Sequence, residues 1–337
     1  MRKPRIKEPG AANYHVFSRV IDRRRIFNND EKDRFVALMR RVEAFCGVKV
    51  LTYSVLSNHF HILLHVPKRR KISDGELVRR MRTLYKKQEV RRVERALSRY
   101  REAGQHKAAE ALKLQYTYRM YDLSEFGKTL LQRFSQSYND RHERKGTLWE
   151  GRFKSILAGK GVHVLSAMAA YIDLNAVRAR LVRDPVEYRW CGYAEAVAGL
   201  EEAREGIGLV MLSRGQSPDW EEAAGPYRRL LYIRGRARGL TENGSPLNPG
   251  FSPEEVQKVL DEGGKLPLDV VLRCRVRYFT EGLVLGSRAY VEDVMRRYPW
   301  AMGERHSGEP FKMIGCDWGD LCTVHPVKDD AITVPTH

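Results

Sequence analysis

The clearest alternation in the chain runs through Asn58-His59-Phe60-His61-Ile62-Leu63-Leu64-His65. Strand side chains point to opposite faces in turn, so Phe60, Ile62, Leu64 and Val66 form one core-facing set. His59 and His61 then project from the other face, roughly 7 Å apart along the backbone. Upstream, Tyr14 to Val20 alternates like a first strand, and Asp22-Arg23-Arg24-Arg25 makes a charged turn after it. Phe35, Leu38, Met39, Val42 and Phe45 recur at helical spacing and predict an amphipathic helix from Asp30 to Phe45, with Gly47 placed to close it. Val48 to Val55 reads as a second strand, which turns through Leu56-Ser57-Asn58 into the histidine strand as an antiparallel hairpin.

Beyond the hairpin, Ser73-Asp74-Gly75-Glu76 resembles a capping box that opens a long basic helical stretch. A helix from Ser124 to about Tyr138 carries Phe126, Leu130, Leu131 and Phe134 on one face. Gly146 to Lys154 reads as a turn entering another strand, which continues through Leu157. A helix from His163 to Val182 follows, then an aromatic closing segment, Tyr188 to Tyr193. The order β-α-β-β-α-α-β-α is that of the α+β class. From about residue 200 the composition shifts. Glu201 to Glu205 reads as a charged linker and Asn243 to Gly250 as a loop. Helices are expected at Ser252 to Glu262, Leu268 to Tyr278 and Ser287 to Tyr298, with a glycine-bearing turn over Glu281 to Gly286. This mainly helical C-terminal extension is either a helix-turn-helix-like DNA-binding module or a helical cap on the first domain.

Charge narrows the partner. Lys and Arg number 60 against 42 acidic residues, a formal charge of +18, which points to a polyanion such as nucleic acid or an anionic membrane surface. No apolar run is long enough to span a bilayer, and the basic N-terminus leads into Glu8-Pro9-Gly10 rather than an apolar signal core. Five scattered cysteines do not suggest a disulfide framework. These features predict a cytoplasmic protein.

The chemistry rests on a combination. His59 and His61 can lean toward one divalent ion, although such a pair in isolation is more often solvent-facing or hydrogen-bonded than metal-bound. In the helix after Val164, Tyr171 and Asn175 stand four residues apart and share a face, with Arg178 next along it. An Asn175 amide oxygen suits a hard cation such as Mg²⁺ or Mn²⁺ as a third ligand. Beside that cation and a cationic side chain, the Tyr171 phenolate becomes accessible and a scissile phosphate is polarised. Arg152 and Lys154 bracket Phe153 and, with Arg19, Arg23, Arg24 and Arg25, are candidate phosphate contacts; solvated charge is the alternative for the arginine turn. Trp149 is either a buried aromatic or a platform for an unpaired base. His65 lies too far along the strand for a ligand role, and the face of His15 is not set by sequence.

Four blocks then carry a resemblance: Tyr14-His15-Val16, Leu56 to His61, Gly146 to Phe153, and Tyr171-Ile172-Asp173-Leu174-Asn175-Ala176-Val177-Arg178-Ala179. In this order they resemble the single-tyrosine transposases of the His-hydrophobic-His (HUH) endonuclease superfamily, in the REP-associated, IS200-like branch. The likeness spans roughly residues 11–195, interrupted by a basic helical insertion at about 68–120, and leaves residues 203–337 as an extension. It implies a ferredoxin-like antiparallel sheet with helices packed on one side. It also implies a divalent metal on His59, His61 and Asn175, and Tyr171 as the nucleophile that cuts single-stranded DNA at hairpin-forming repeats, leaving a 5′-phosphotyrosine and a free 3′-OH. Ala176 departs from the proline usual in these proteins, which predicts a helix that runs on past Asn175.

Three functions are compatible with these residues. One is a single-stranded DNA nicking and joining enzyme. Another is a domesticated relative that binds hairpin DNA without cutting it, and the third is a metal-dependent RNA nuclease with no need of Tyr171. Members of this group act as monomers or as homodimers that exchange tyrosine helices, and nothing in the residues chooses between the two.

Overall fold

The computed structural model describes residues 5–159, 163–232, 258, 268–302, 308–327 and 331–333. Four strands carry the first half: β1 (Ala12–Arg19), β2 (Lys49–Val55), β3 (His59–Val66) and β4 (Lys154–Ala158). They pair antiparallel in the order β2-β3-β1-β4, the ferredoxin-like arrangement. The helix between β1 and β2 is α1 (Asn29–Cys46); the Asn28 side chain accepts from the Glu31 N–H at its start. Its end is closed by Gly47 at φ +65°, a left-handed conformation that a side chain disfavours.

One face of the sheet holds the expected apolar set. Phe60, Ile62, Leu64 and Val66 pack with Phe35, Met39, Val42 and Phe45 of α1 and with Phe126, Leu130 and Phe134 of α5 (Leu123–Arg141). Trp149 is buried among them and donates its Nε1–H to Ser135 Oγ at 2.8 Å, so it is a core aromatic and not an exposed stacking platform. The insertion folds as α2 (Asp74–Leu84), α3 (Lys87–Glu102) and α4 (His106–Thr117). Several of its cations are already paired with acids, Arg80 with Glu76, Arg92 with Glu89 and Arg101 with Asp74, while Arg79, Arg91 and Arg95 face solvent.

Helices cover the second face as well, against the expectation of one covered side. Leu51, Leu63 and Ile156 point there and are almost wholly buried. Their cover comes from α6 (Val164–Asp173), α8 (Gly192–Val197), α9 (Glu201–Leu212) and α10 (Trp220–Tyr232). The residues read as a charged linker are the first turn of α9. This helix lies so close to β2 that a Cβ at Gly206 would sit 2.6 Å from the Leu51 carbonyl oxygen. The predicted helix from His163 to Val182 is two pieces: α6, then α7 (Asn175–Arg178), broken at Leu174 where ψ is 3°. It ends near Arg180, whose φ is +55°.

The extension joins the same sheet. Val284–Ser287, expected as part of a turn, is β6; it pairs in parallel with β4, and Leu321–Thr323 (β8) and Phe311–Lys312 (β7) continue outward to seven strands. The reason is tertiary: β4 has a second edge whose N–H and C=O groups need partners, and a four-residue run in sequence does not reveal that. Helix Leu268–Arg273 is shorter than predicted and gives way to β5 (Arg275–Val276), which pairs with β9 (Ile332–Thr333), and to helix Tyr278–Glu281. Helix Arg288–Arg297 matches its prediction, with Ser287 capping it. Helical residues still outnumber strand residues in the described extension. The predicted loop at Asn243 to Gly250 and nearly all of the helix at Ser252 to Glu262 lie outside the described residues. Among the described residues no helix is long and apolar enough to cross a membrane.

Candidate active site

The alternation of β3 puts His59 and His61 on the face toward α6, their ring centroids 5.2 Å apart. Pairing with β1 brings His15 to the same face, diagonal to His61. His15 Nδ1 lies 2.7 Å from the Phe279 carbonyl oxygen, and His15 Nε2 lies 2.8 Å from His61 Nδ1. A carbonyl only accepts, so His15 carries its proton on Nδ1 and its Nε2 is the acceptor for the His61 Nδ1–H. His61 Nε2 is left with a lone pair.

His59 is oriented in the same sense. Asn58 donates Nδ2–H to the Arg23 carbonyl at 3.1 Å, which turns its Oδ1 to accept from His59 Nδ1 at 2.7 Å. The left-handed pair Asp22 and Arg23, at φ +55° and +54°, shapes the turn that offers that carbonyl. Burial holds all three imidazoles neutral. His59 is pushed down to about 4 by desolvation, then by Arg19 and Arg178; His15 falls to about 4, again chiefly by desolvation. His61 lies well below the ordinary histidine value for the same first reason, helped by His15 and His59.

The helix pair α6–α7 supplies the opposite wall. The Tyr171 ring centroid is 6.4 Å from that of His61 and 4.8 Å from that of Phe279. The Arg178 guanidinium sits 3.8 Å from the Tyr171 ring centroid and donates to two carbonyls, Leu272 at 2.8 Å and Tyr171 at 2.5 Å. Burial lowers its pKa from the ordinary value. Asn175 is buried, and its Nδ2 has no hydrogen-bond partner. Its neighbour in the chain, Asp173, faces away from the site. Fully buried, Asp173 accepts from Thr52 Oγ1, from the Tyr227 hydroxyl and from the Tyr193 N–H, tying α6 to β2, α8 and α10. Desolvation raises it to about 7 despite those bonds.

Between these walls lies a cavity of about 620 Å³ lined by His59, His61, Tyr171, Asn175, Arg178, Arg19, Arg152 and Lys154. Two of the predicted cations, Arg23 and Arg24, are exposed and do not line it; Arg23 acts through its carbonyl on Asn58. His65 lies toward the far end of β3, bonded to Asn13. Sequence reading missed Arg275, Thr280, Glu281 and Thr333, which the C-terminal region adds to the lining, as well as the Phe279 and Leu272 carbonyls. No signal in the residues themselves placed that region at the site.

The donor set suits a divalent cation. Two neutral imidazoles with Nε2 lone pairs and the buried amide of Asn175, whose Nδ2 has no partner, stand on one cavity. Among the described residues no three His, Cys, Asp or Glu side chains gather as a metal centre.

Comparison with known proteins bears on the first half of the chain. The family model described as "Transposase IS200 like" matches residues 10–107, a segment that contains His15, His59 and His61 but ends before Tyr171. A solved REP-associated tyrosine transposase bound to a REP hairpin aligns at 12% identity, covering 59% of this chain and 87% of that one, with a TM-score of 0.38. That likeness is too distant to argue from. No curated protein matches the chain. Residues 10–107 are thus similar to the IS200-like transposase family.

Proposed function

We propose that this protein is a metal-dependent single-stranded DNA endonuclease and strand transferase, with Tyr171 as its nucleophile. The observation that supports this best is convergence. Tyr171 and Asn175 come from one helix pair and His59 and His61 from a strand more than a hundred residues earlier, yet all four line the same cavity.

The residues divide the work. His59, His61 and the Asn175 amide oxygen would hold Mg²⁺ or Mn²⁺, which when bound supplies Lewis-acid polarisation of the scissile phosphate. Arg178 is braced by two carbonyls and presents its guanidinium to the Tyr171 ring, a fixed positive charge beside the attacking group. Arg19, Arg152 and Lys154 line the cavity as contacts for the flanking phosphates. Tyr171 Oη attacks phosphorus and the P–O3′ bond breaks, leaving a 5′-phosphotyrosine and a 3′-hydroxyl; return of a 3′-hydroxyl restores the diester and frees the tyrosine. Covalent capture divides one strand transfer into two steps and stores the bond energy between them. The preference for hairpin-forming repeats rests on the sequence resemblance.

The test is a denaturing gel of labelled single-stranded hairpin oligonucleotides with Mn²⁺ or EDTA, running the wild type beside Tyr171→Phe and His59→Ala. The expected result is a Mn²⁺-dependent protein–DNA adduct from the wild type alone. Binding without any adduct would favour a hairpin-binding protein that does not cut, and cleavage that survives in Tyr171→Phe would make water the nucleophile.

A further inference from the structure

Two regions far apart in sequence meet at His15. It is wholly buried on β1, and its ring touches only two hydrogen-bonding partners among the described residues. One is the main-chain carbonyl of Phe279, in the C-terminal helix Tyr278–Glu281; the other is Nδ1 of His61. The direction of both bonds follows from chemistry, since the carbonyl can only accept and a neutral imidazole has one N–H and one lone pair. We propose that His15 is a positioning residue. Anchored by the Phe279 carbonyl, it accepts from His61 Nδ1–H and so holds His61 in the tautomer whose Nε2 lone pair faces the cavity.

The inference rests on the reading of His61 as a metal ligand, and it adds what sets the competence of that ligand. An imidazole with no partner at Nδ1 is free to carry its proton on Nε2, which would aim a donor at the cation. The bond from Nδ1 removes that choice, as the outer partner of a ligating histidine does in metal sites generally. The same Phe279 packs its ring against Tyr171, so the C-terminal region braces the histidine wall and the tyrosine wall through one residue. Helix Tyr278–Glu281 leads into β6, whose pairing with β4 seats it. The extension is therefore part of the site and not an appendage to it.

The experiment uses the full-length chain with ¹⁵N-labelled histidine. Long-range ¹H–¹⁵N spectra report which ring nitrogen of His61 carries the proton, without any metal, and a Mn²⁺ titration reports affinity. The wild type is expected to show His61 protonated at Nδ1. His15→Phe fills the ring space but offers no acceptor; it should let the His61 proton redistribute and weaken Mn²⁺ binding about tenfold or more. His15→Gln, which keeps an acceptor toward His61, should restore most of both. Finding His61 protonated at Nε2 in the wild type, or at Nδ1 in His15→Phe with unchanged Mn²⁺ affinity, would overturn the proposal. Should His15→Phe not fold, the wild-type tautomer and His15→Gln decide alone. A wild type that binds Mn²⁺ in this way but forms no DNA adduct would sink the nuclease reading and leave the role of His15 standing.

Discussion

The two faces of β3 are built from alternate residues of one eight-residue strand, yet they answer to different demands. On one, Phe60 and Ile62 sit in a close-packed aromatic cluster with Phe35, Phe134 and Trp149, where loss of a side chain leaves a hole. On the other, His59 and His61 face a cavity and are held by hydrogen bonds they donate to Asn58 and His15. The first face secures the fold through apolar area. The second keeps polar groups buried and poised, a cost carried by the packing around it. A single register serves both, because a one-residue slip would exchange core and site.

That contrast can be broken most sharply at adjacent residues. Phe60→Ala should cost about 3–5 kcal/mol of stability, read from denaturant unfolding, while leaving Mn²⁺ affinity near wild type wherever the protein remains folded. His59→Ala should do the reverse. Unfolding should shift by less than about 1 kcal/mol, and Mn²⁺ affinity measured by calorimetry should fall about tenfold or more. Equal stability losses from both would mean that the faces are not specialised.

A pH series sharpens the comparison. His15, His59 and His61 have depressed folded values, so below pH 6.5 the unfolded chain takes up protons that the folded chain refuses, in the case of His15 and His59 until about pH 4. Stability should therefore rise with pH across that window. Asp173 is raised to about 7, so the folded state binds its proton more tightly and the stabilisation this lends is lost as pH climbs from the ordinary carboxylate value toward 7. The two slopes oppose one another. Asp173→Asn should steepen the net rise between pH 4 and 6.5 in thermal melts, and an unchanged slope would remove Asp173 from the account. The smallest effect belongs to the cavity rim: Arg152→Ala should reduce the salt dependence of single-strand binding by about 0.7 in log–log slope, the share of one phosphate contact.

Much of this was legible in the residues. The strand pair β2–β3, helix α1 with its glycine stop, and helix α5 follow from periodicity and capping, which are local properties. His59, His61, Tyr171 and Asn175 were readable as a set, and they line one cavity. The run from His163 to Val182 was not readable as two helices, because the break at Leu174 has neither proline nor glycine to mark it. Nor did Glu201 to Glu205 look like a packed helix start: Glu201 and Glu202 are exposed and Glu205 pairs with Lys49, while Ala203 is buried and Gly206 packs on β2.

By itself, then, the sequence determined the period of each element, the strand that divides core from site, and the residue types available for chemistry. Tertiary structure alone decided which carbonyl His15 meets, that Arg178 is braced by Leu272, and that a region expected to stand apart extends the sheet and lines the cavity. The physical reason is range. Alternation and capping act over a few residues, whereas the satisfaction of a buried imidazole or an open strand edge depends on whichever distant segment arrives with the complementary donor or acceptor.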